Sequence, residues 1–182
     1  MKKLLRILIL IALPALVFSC LSENGKDLRE IKKMESIFVG KRDSSKLAIQ
    51  LDASYRKFIR KYPEDTNIPR MIFEDAQINI DPLRKMDAAV AQLENLYTKY
   101  PKYKLSPDAL FKAAFLNENV LGRIEQAKYQ YTLFIQTYPD NSLVKDAKAS
   151  LENIGLSPEQ AFQKIKAQHA GDSIKDKNRP VQ

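Results

Sequence analysis

The stretch FIQTYPDN, residues 134–141, has the composition of a helix end. Phe134 is followed one helical turn later by Tyr138 and Pro139, and a proline cannot continue a helix because it has no amide hydrogen and its ring clashes with the preceding turn. The same Tyr-Pro pair occurs at 62–63 and at 100–101, so it returns every 38 residues. Self-similarity at a fixed period of this length predicts a repeat protein.

Packing residues recur in the same register as the Tyr-Pro pairs. In the third repeat, Ala127, Tyr131 and Phe134 are spaced i, i+4 and i+7, which places them on one face of a helix that must be buried. We predict twelve repeat-core positions, which are Leu51, Tyr55, Phe58 and Pro63 in the first repeat, Ala89, Leu93, Leu96 and Pro101 in the second, and Ala127, Tyr131, Phe134 and Pro139 in the third.

The composition favours an all-α fold. The chain has 182 residues, of which 45% are hydrophobic and 29% are charged, and this balance is typical of a globular domain. Glycines number only 5, which disfavours folds with many tight turns, and apolar residues recur at three- and four-residue spacings. We predict helices near 26–39 and 44–61, 69–80 and 84–99, 107–120 and 123–137, and 142–153 and 158–168.

Two short segments have the pattern of a helix start. Ser106-Pro107-Asp108 offers an N-cap hydroxyl, a proline at the first helical position and an acid near the positive end of the helix. Ser157-Pro158-Glu159-Gln160 repeats this pattern and completes a capping box. The helix pair at 142–168 is predicted to cap the repeats at their C-terminal end.

The first twenty residues, MKKLLRILILIALPALVFSC, predict export. They combine a basic start with an apolar run from Ile7 to Phe18 and a small residue before the single cysteine, Cys20. The run spans about 18 Å as a helix, which is short of the hydrocarbon core of about 30 Å, so we predict that residues 1–19 are a signal peptide. The ending VFSC resembles the lipobox of bacterial lipoproteins, which implies that Cys20 is lipidated. The alternative is an ordinary cleaved signal with a cysteine near the cut.

Lipidation also accounts for the unpaired cysteine, because a lone free thiol in an oxidising compartment is open to oxidation and cross-linking. We therefore predict a lipidated tether over residues 20–26 and helical repeats over 27–169. Residues 170–182 contain few apolar side chains and are predicted to be a disordered tail.

Signals of catalysis are scarce. His169 is the one histidine, so Cys/His metal sites are excluded by count, and the glycines are too far apart for a phosphate-binding loop. The carboxylates alternate with Lys and Arg, as on a solvated helix face. We predict no enzyme, no metal, no cofactor and no small-molecule substrate. The basic stretch YRKFIRKYP, residues 55–63, is interpreted as core aromatics beside a solvated cationic face, without a nucleic-acid partner; contact with anionic lipid is the alternative.

The helix-pair pattern resembles the tetratricopeptide repeat, a helix-turn-helix unit of 34 residues. Ala127, Tyr131, Phe134 and Pro139 have the spacing of that family's small residue, aromatic residue, second packing residue and terminal proline. The resemblance implies a helix-pair solenoid of about three repeats plus a C-terminal capping pair. Long repeats ending in Tyr-Pro behind a lipoprotein signal are also similar to the group of bacterial envelope lipoproteins that includes BamD and the Tol-Pal-associated protein YbgF.

The same resemblance implies a binding groove, because the first helix of each tetratricopeptide unit lines the concave side of the stack. Counting back from the matched prolines assigns seven residues to this groove, namely Met71, Glu74 and Ile78 from one repeat and Ala109, Lys112, Leu116 and Asn119 from the next. They mix apolar contacts with one anion, one cation and one amide, as suits an extended peptide. The alternative is that they are ordinary packing or surface residues.

Two functions follow as hypotheses. The first is a lipid-anchored scaffold that binds an envelope protein or peptide in the concave groove, in outer-membrane protein assembly or envelope maintenance. The second is a structural accessory subunit, or spacer, of an envelope-assembly or uptake complex without a peptide groove. Either would lie in the bacterial envelope, anchored in the outer membrane through Cys20 and facing the periplasm, with the cell surface as the alternative.

Overall fold

The structure, a computed structural model, describes residues 23–157, 159–160, 162–164 and 166. Its helices are α1 (23–39), α2 (Ser45–Lys61), α3 (Ile68–Ile80), α4 (Met86–Lys99), α5 (Ser106–Asn119), α6 (Ile124–Thr137) and α7 (Val144–Asn153), and further helical residues follow at 159–160, 162–164 and 166. These ranges contain no strand. The predicted all-α fold of helix pairs is confirmed.

Each Tyr-Pro pair ends the second helix of a pair. Tyr62, Tyr100 and Tyr138 are the C-caps of α2, α4 and α6, and the backbone N–H of each donates to a carbonyl four residues earlier at 2.9 Å. The prolines that follow are exposed. Pro63, Pro101 and Pro139 therefore stop the helices from outside the core, which differs from their predicted place within it, because a ring that ends a helix leaves the packed face.

The two predicted helix starts have different outcomes. At 157–160 the capping box forms, since the Gln160 N–H donates to Ser157 Oγ at 3.2 Å and the Ser157 N–H donates to Gln160 Oε1 at 2.8 Å. Ser106 is not an N-cap. It is the first residue of α5, and its hydroxyl donates to the Tyr100 carbonyl at 2.6 Å, so it ties the start of α5 to the end of α4.

The chain divides into two compact units, with the boundary between Ala109 and Leu110 inside α5. In the first unit, α3 packs against both α2 and α4. A buried cluster joins α1, α2 and α3 and is formed by Ile31, Ala48, Leu51, Tyr55, Phe58, Tyr62, Met71 and Ile78. In α4, Ala89, Leu93 and Leu96 are fully buried. Apolar side chains at the predicted repeat positions thus form the core of this unit.

In the second unit, α6 packs against α7. Ala127, Tyr131 and Phe134 of α6 are all 0% exposed. The ring of Phe111 from α5 lies 5.6 Å from the rings of both Tyr131 and Phe134, in edge-to-face geometry. Aromatic pairs in this geometry add stabilisation beyond the area that they bury. This aromatic cluster therefore joins the two helices of the third pair.

Two amide pairs recur in register between the helices of a pair, and three of their four side chains, Asn79, Asn117 and Gln130, are fully buried. Asn79 Nδ2 donates to Gln92 Oε1 at 3.3 Å between α3 and α4, and Asn117 Nδ2 donates to Gln130 Oε1 at 2.8 Å between α5 and α6. Buried side-chain amides need hydrogen-bond partners, so each pair disfavours sliding of one helix along the other.

The tether predicted over residues 20–26 is wrong for its last four residues. Residues 23–26, assigned above to a tether over 20–26, are the first residues of α1. They make polar contacts with the first unit, since Lys61 Nζ donates to Glu23 Oε1 at 2.5 Å and Asn24 Nδ2 donates to Asp65 Oδ2 at 2.5 Å. Polar residues can order a segment through such bonds without apolar burial. Cys20, the predicted signal peptide over residues 1–19 and the predicted tail over 170–182 lie outside the described residues.

Candidate functional site

A cavity of about 330 Å³ opens in the first unit between α1, α2 and α3. Its lining comes from the three helices and from the segments that connect them, and comprises Glu35, Phe38, Val39, Arg42, Leu51, Tyr55, Glu74, Gln77, Ile78 and Asp81. We call it the α1–α3 cavity. Since α1 and α3 are the first helices of two successive pairs, it occupies the position that the repeat pattern implies for a groove.

The predicted groove residues fall in two groups. Glu74 and Ile78 line the α1–α3 cavity, Ile78 as a buried wall and Glu74 as a half-buried polar group. Met71 and Ala109 are 0% exposed and Leu116 is 5% exposed, so these three residues are packing residues and differ from their predicted role. The apolar side chains of an amphipathic helix lie on the face that packs against neighbouring helices. These three residues lie on that face and are therefore buried.

Lys112 and Asn119 lie in the second unit on α5. Lys112 is half-buried and Asn119 is exposed, and Asn119 Nδ2 donates to the Phe115 carbonyl at 3.1 Å within its own helix. Both therefore present polar atoms at the surface of their own unit. The structure thus brings Glu74 and Ile78 together in one cavity of the first unit.

Glu35 in the lining of the α1–α3 cavity accepts two side-chain hydrogen bonds, and it was not among the site residues predicted from the sequence. Its Oε1 accepts from Tyr55 Oη at 2.7 Å and from Arg70 Nη1 at 2.8 Å. Burial and the hydrogen bond to Glu35 raise the pKa of Tyr55 above its ordinary value, so the phenol remains a donor at all physiological pH values. Burial acts to lower the pKa of Arg70, but the contact with Glu35 outweighs it and the pKa is raised. Glu35 is thus fixed and charge-compensated.

The remaining charged groups of the α1–α3 cavity are less restrained. Asp81 forms an ion pair of 3.6 Å with Arg84, and both side chains are more than 70% exposed, so the pair is weak. Glu74 makes no hydrogen bond or ion pair with the described residues, although its charge contributes to raising the pKa of Arg70. Arg42 is exposed in the segment between α1 and α2. Glu74 is therefore a half-buried carboxylate of the lining that is available to a partner.

A second cavity, of about 370 Å³, lies between α2 and α4 on the side of the second helices. We call it the α2–α4 cavity, and its lining is Arg56, Ile59, Arg60, Ile72, Asp75, Ala88, Ala91, Gln92 and Asn95. Arg56 is held there by Asp52, with 2.9 Å between Nη2 and Oδ1. In the same basic stretch, Lys61 is paired with Glu23 and Asp27. Two of its four cations are thus neutralised within the protein.

Two buried carboxyl groups lie beside each other at the α2–α4 cavity, and one of them, Asp75, belongs to its lining. Asp75 is 1% exposed and Asp52 is 7% exposed, and each accepts from a side-chain amide, Asp75 from Gln92 and Asp52 from Asn79 at 3.1 Å. Burial and the adjacent Asp52 raise the pKa of Asp75 to about 8. Burial acts to raise the pKa of Asp52 as well, but hydrogen bonds from Asn79 and Asp75 and the charge of Arg56 lower it on balance. At neutral pH, Asp75 therefore carries the proton and Asp52 the charge.

No group of His, Cys, Asp and Glu side chains suited to a metal ion occurs among residues 23–157 and the described positions beyond them. In the same part of the chain, no helix is both long enough and apolar enough to cross a membrane.

Comparison with known proteins places the repeat in the third helix pair. Residues 108–141, which include most of α5 and all of α6, match the family described as the tetratricopeptide repeat. No curated protein matches the chain. The helix pair α5–α6 is therefore similar to a tetratricopeptide repeat, and this match together with the helical repeat supports a protein-protein interaction scaffold.

Proposed function

We propose that the protein is a lipid-anchored scaffold of the bacterial envelope that binds a protein or peptide partner through the α1–α3 cavity. The observation that carries this proposal is the position of the cavity between the first helices of two successive pairs. It combines buried apolar walls with a half-buried carboxylate that is free to make contacts, and recognition surfaces of proteins commonly have this composition.

The envelope location rests on the sequence. The basic start, the apolar run and the VFSC ending support export and lipidation of Cys20, with the helices on the periplasmic face of the outer membrane. A partner there would be an envelope protein or peptide, and the role would be in outer-membrane protein assembly or envelope maintenance, as in the lipoprotein group that the chain resembles. We propose a binding role without catalysis.

We expect Cys20→Ala to abolish lipidation and membrane retention. Buried acyl chains contribute about 0.8 kcal/mol per methylene, and no described helix could replace them by spanning the bilayer. Membrane fractionation of the full chain, followed by a wash at high salt, measures the effect. If the Ala variant still sediments with membranes after the wash, the lipid anchor is wrongly assigned.

We expect a residue at the rim of the α1–α3 cavity to lie close to the bound partner. Val39 is 64% exposed on this rim, so a photo-crosslinking amino acid placed there should form an adduct with the partner in native membranes. Asn95 is half-buried in the lining of the α2–α4 cavity and provides a comparison site in the same unit. Immunoblotting of the irradiated full-length protein would reveal adducts from each position.

The two crosslinking sites discriminate between the hypotheses. Adducts from position 39 and few from position 95 support binding at the first helices. Adducts from position 95 alone would contradict the proposal and favour the accessory-subunit hypothesis, in which the helices act as a spacer.

A further inference from the structure

We propose that the α1–α3 cavity binds a lysine or arginine side chain of the partner. This inference rests on the proposed function and adds the chemistry of the bound segment. The aliphatic part of the side chain would lie along the apolar wall, and its cationic head would meet Glu74.

Charge complementarity is the first argument. Three carboxylates line the cavity, at Glu35, Glu74 and Asp81, against one guanidinium, at Arg42. Glu35 is already paired with Arg70 at 2.8 Å, so its carboxylate is not available to bind a cation of the partner. Glu74 remains half-buried and makes no ion pair with the described residues. Reduced solvent screening strengthens the attraction of such a carboxylate for a cation.

The apolar wall is the second argument. Leu51 and Ile78 are 2% and 4% exposed, and the half-buried Phe38 lies beside them in the lining. A compact, fully hydrated cation would gain nothing from these residues. A lysine or arginine side chain has an apolar stem and a charged head, so it can contact the wall and the carboxylate at once.

The size of the cavity is the third argument. A volume of about 330 Å³ is near the lower limit of about 300–1,000 Å³ that is usual for ligand pockets. It accommodates one or two side chains of an extended segment rather than a folded element. Val39 is exposed on the rim, so an extended segment of the partner can lie across the mouth of the cavity.

The test combines crosslinking at position 39 with variants of Glu74 in the full chain. We expect Glu74→Gln to reduce the adduct yield about three- to tenfold and Glu74→Lys to reduce it further, because each removes the attraction for the cation. Glu64→Gln makes the same change at an exposed position of the first unit and should leave the yield unchanged. Thermal melts of each variant establish that the fold is retained.

Mass spectrometry of the adducts supplies an independent measurement. We expect the crosslinked partner segment to contain a lysine or arginine within about two residues of the attachment point, the reach of one side chain in an extended strand. Adducts from position 39 that lack a basic residue, consist of lipid, or persist unchanged in Glu74→Lys would overturn the inference while leaving the binding site in place. Adducts from position 95 alone would instead overturn the proposed function.

Discussion

We expect Phe134→Ala to lower the free energy of unfolding by about 3–5 kcal/mol. Phe134 is 0% exposed, and its ring lies 5.6 Å from that of Phe111 and 5.8 Å from that of Tyr138. Truncation removes a buried ring and leaves a cavity that the neighbouring helices can fill only in part. It also removes both ring contacts around the end of α6. Chemical denaturation followed by circular dichroism would measure the change.

Tyr129→Ala is the matched control for this prediction. Tyr129 lies on the same helix but is 59% exposed, so its truncation should change the free energy of unfolding by less than about 1 kcal/mol. Lys128→Ala, which removes only an exposed ion pair of 2.9 Å with Glu125, should stay within about 0.5 kcal/mol. Similar losses in Phe134→Ala and Tyr129→Ala would mean that the buried face of α6 is wrongly assigned.

Helix ends and packing faces could be predicted because the repeat supplies three copies of the same local signal. Tyr62, Tyr100 and Tyr138 each end a helix with nearly the same backbone geometry, with φ between −130° and −127°. Proline acts through its own covalent structure, so its effect does not depend on the tertiary fold. The apolar residues of the core recur at helical spacing along the chain, and this periodicity can be recognised in the sequence without knowledge of the fold.

The lining of the α1–α3 cavity could be predicted only in part. Glu74 and Ile78 were found through the repeat register, whereas Glu35 and Phe38 of α1 were missed. Counting back from Pro63 in the same way leads to Lys33, Ser36 and Gly40, so the repeat register does not point to Glu35 or Phe38. The contact between Glu35 and Tyr55 joins residues of different helices, and spacing along one helix does not reveal such a contact.

The buried carboxyl pair was also missed, although the register contains a signal for it. Counting forward by one repeat from Asp52 and Asp75 leads to Val90 and Ala113, which are buried apolar residues at 3% and 0% exposure. An acid at a position that is apolar in the next repeat indicates a buried carboxyl group. The free energy of burying such a carboxyl group depends on its hydrogen bonds and its protonation rather than on apolar packing.

We expect the stability of the protein to fall as the pH rises toward 8, and Asp75→Asn to remove this dependence. The pKa of Asp75 is raised to about 8 in the folded chain, so between about pH 4 and pH 8 the folded state binds a proton that the unfolded state has lost. Stability conferred by that proton is present at low pH and lost as pH rises through this window. An asparagine keeps the neutral, hydrogen-bonded form at every pH, since its oxygen can accept from Gln92 and its amide can donate to Asp52.

The variant should therefore match the wild type near pH 5 within about 1 kcal/mol and exceed it by at least about 1.4 kcal/mol at pH 9, the equivalent of one pKa unit. Asp52 does not alter this pH dependence, because its pKa is lowered and its carboxylate stays charged from pH 5 to pH 9. Asp43→Asn removes an exposed carboxylate before α2 and should show the same difference from wild type at pH 5, 7 and 9. Denaturant unfolding at these three pH values measures each difference. A constant difference for Asp75→Asn would show that Asp75 does not hold a proton against Asp52, and that Arg56 and the two amides stabilise both carboxylates in their charged form.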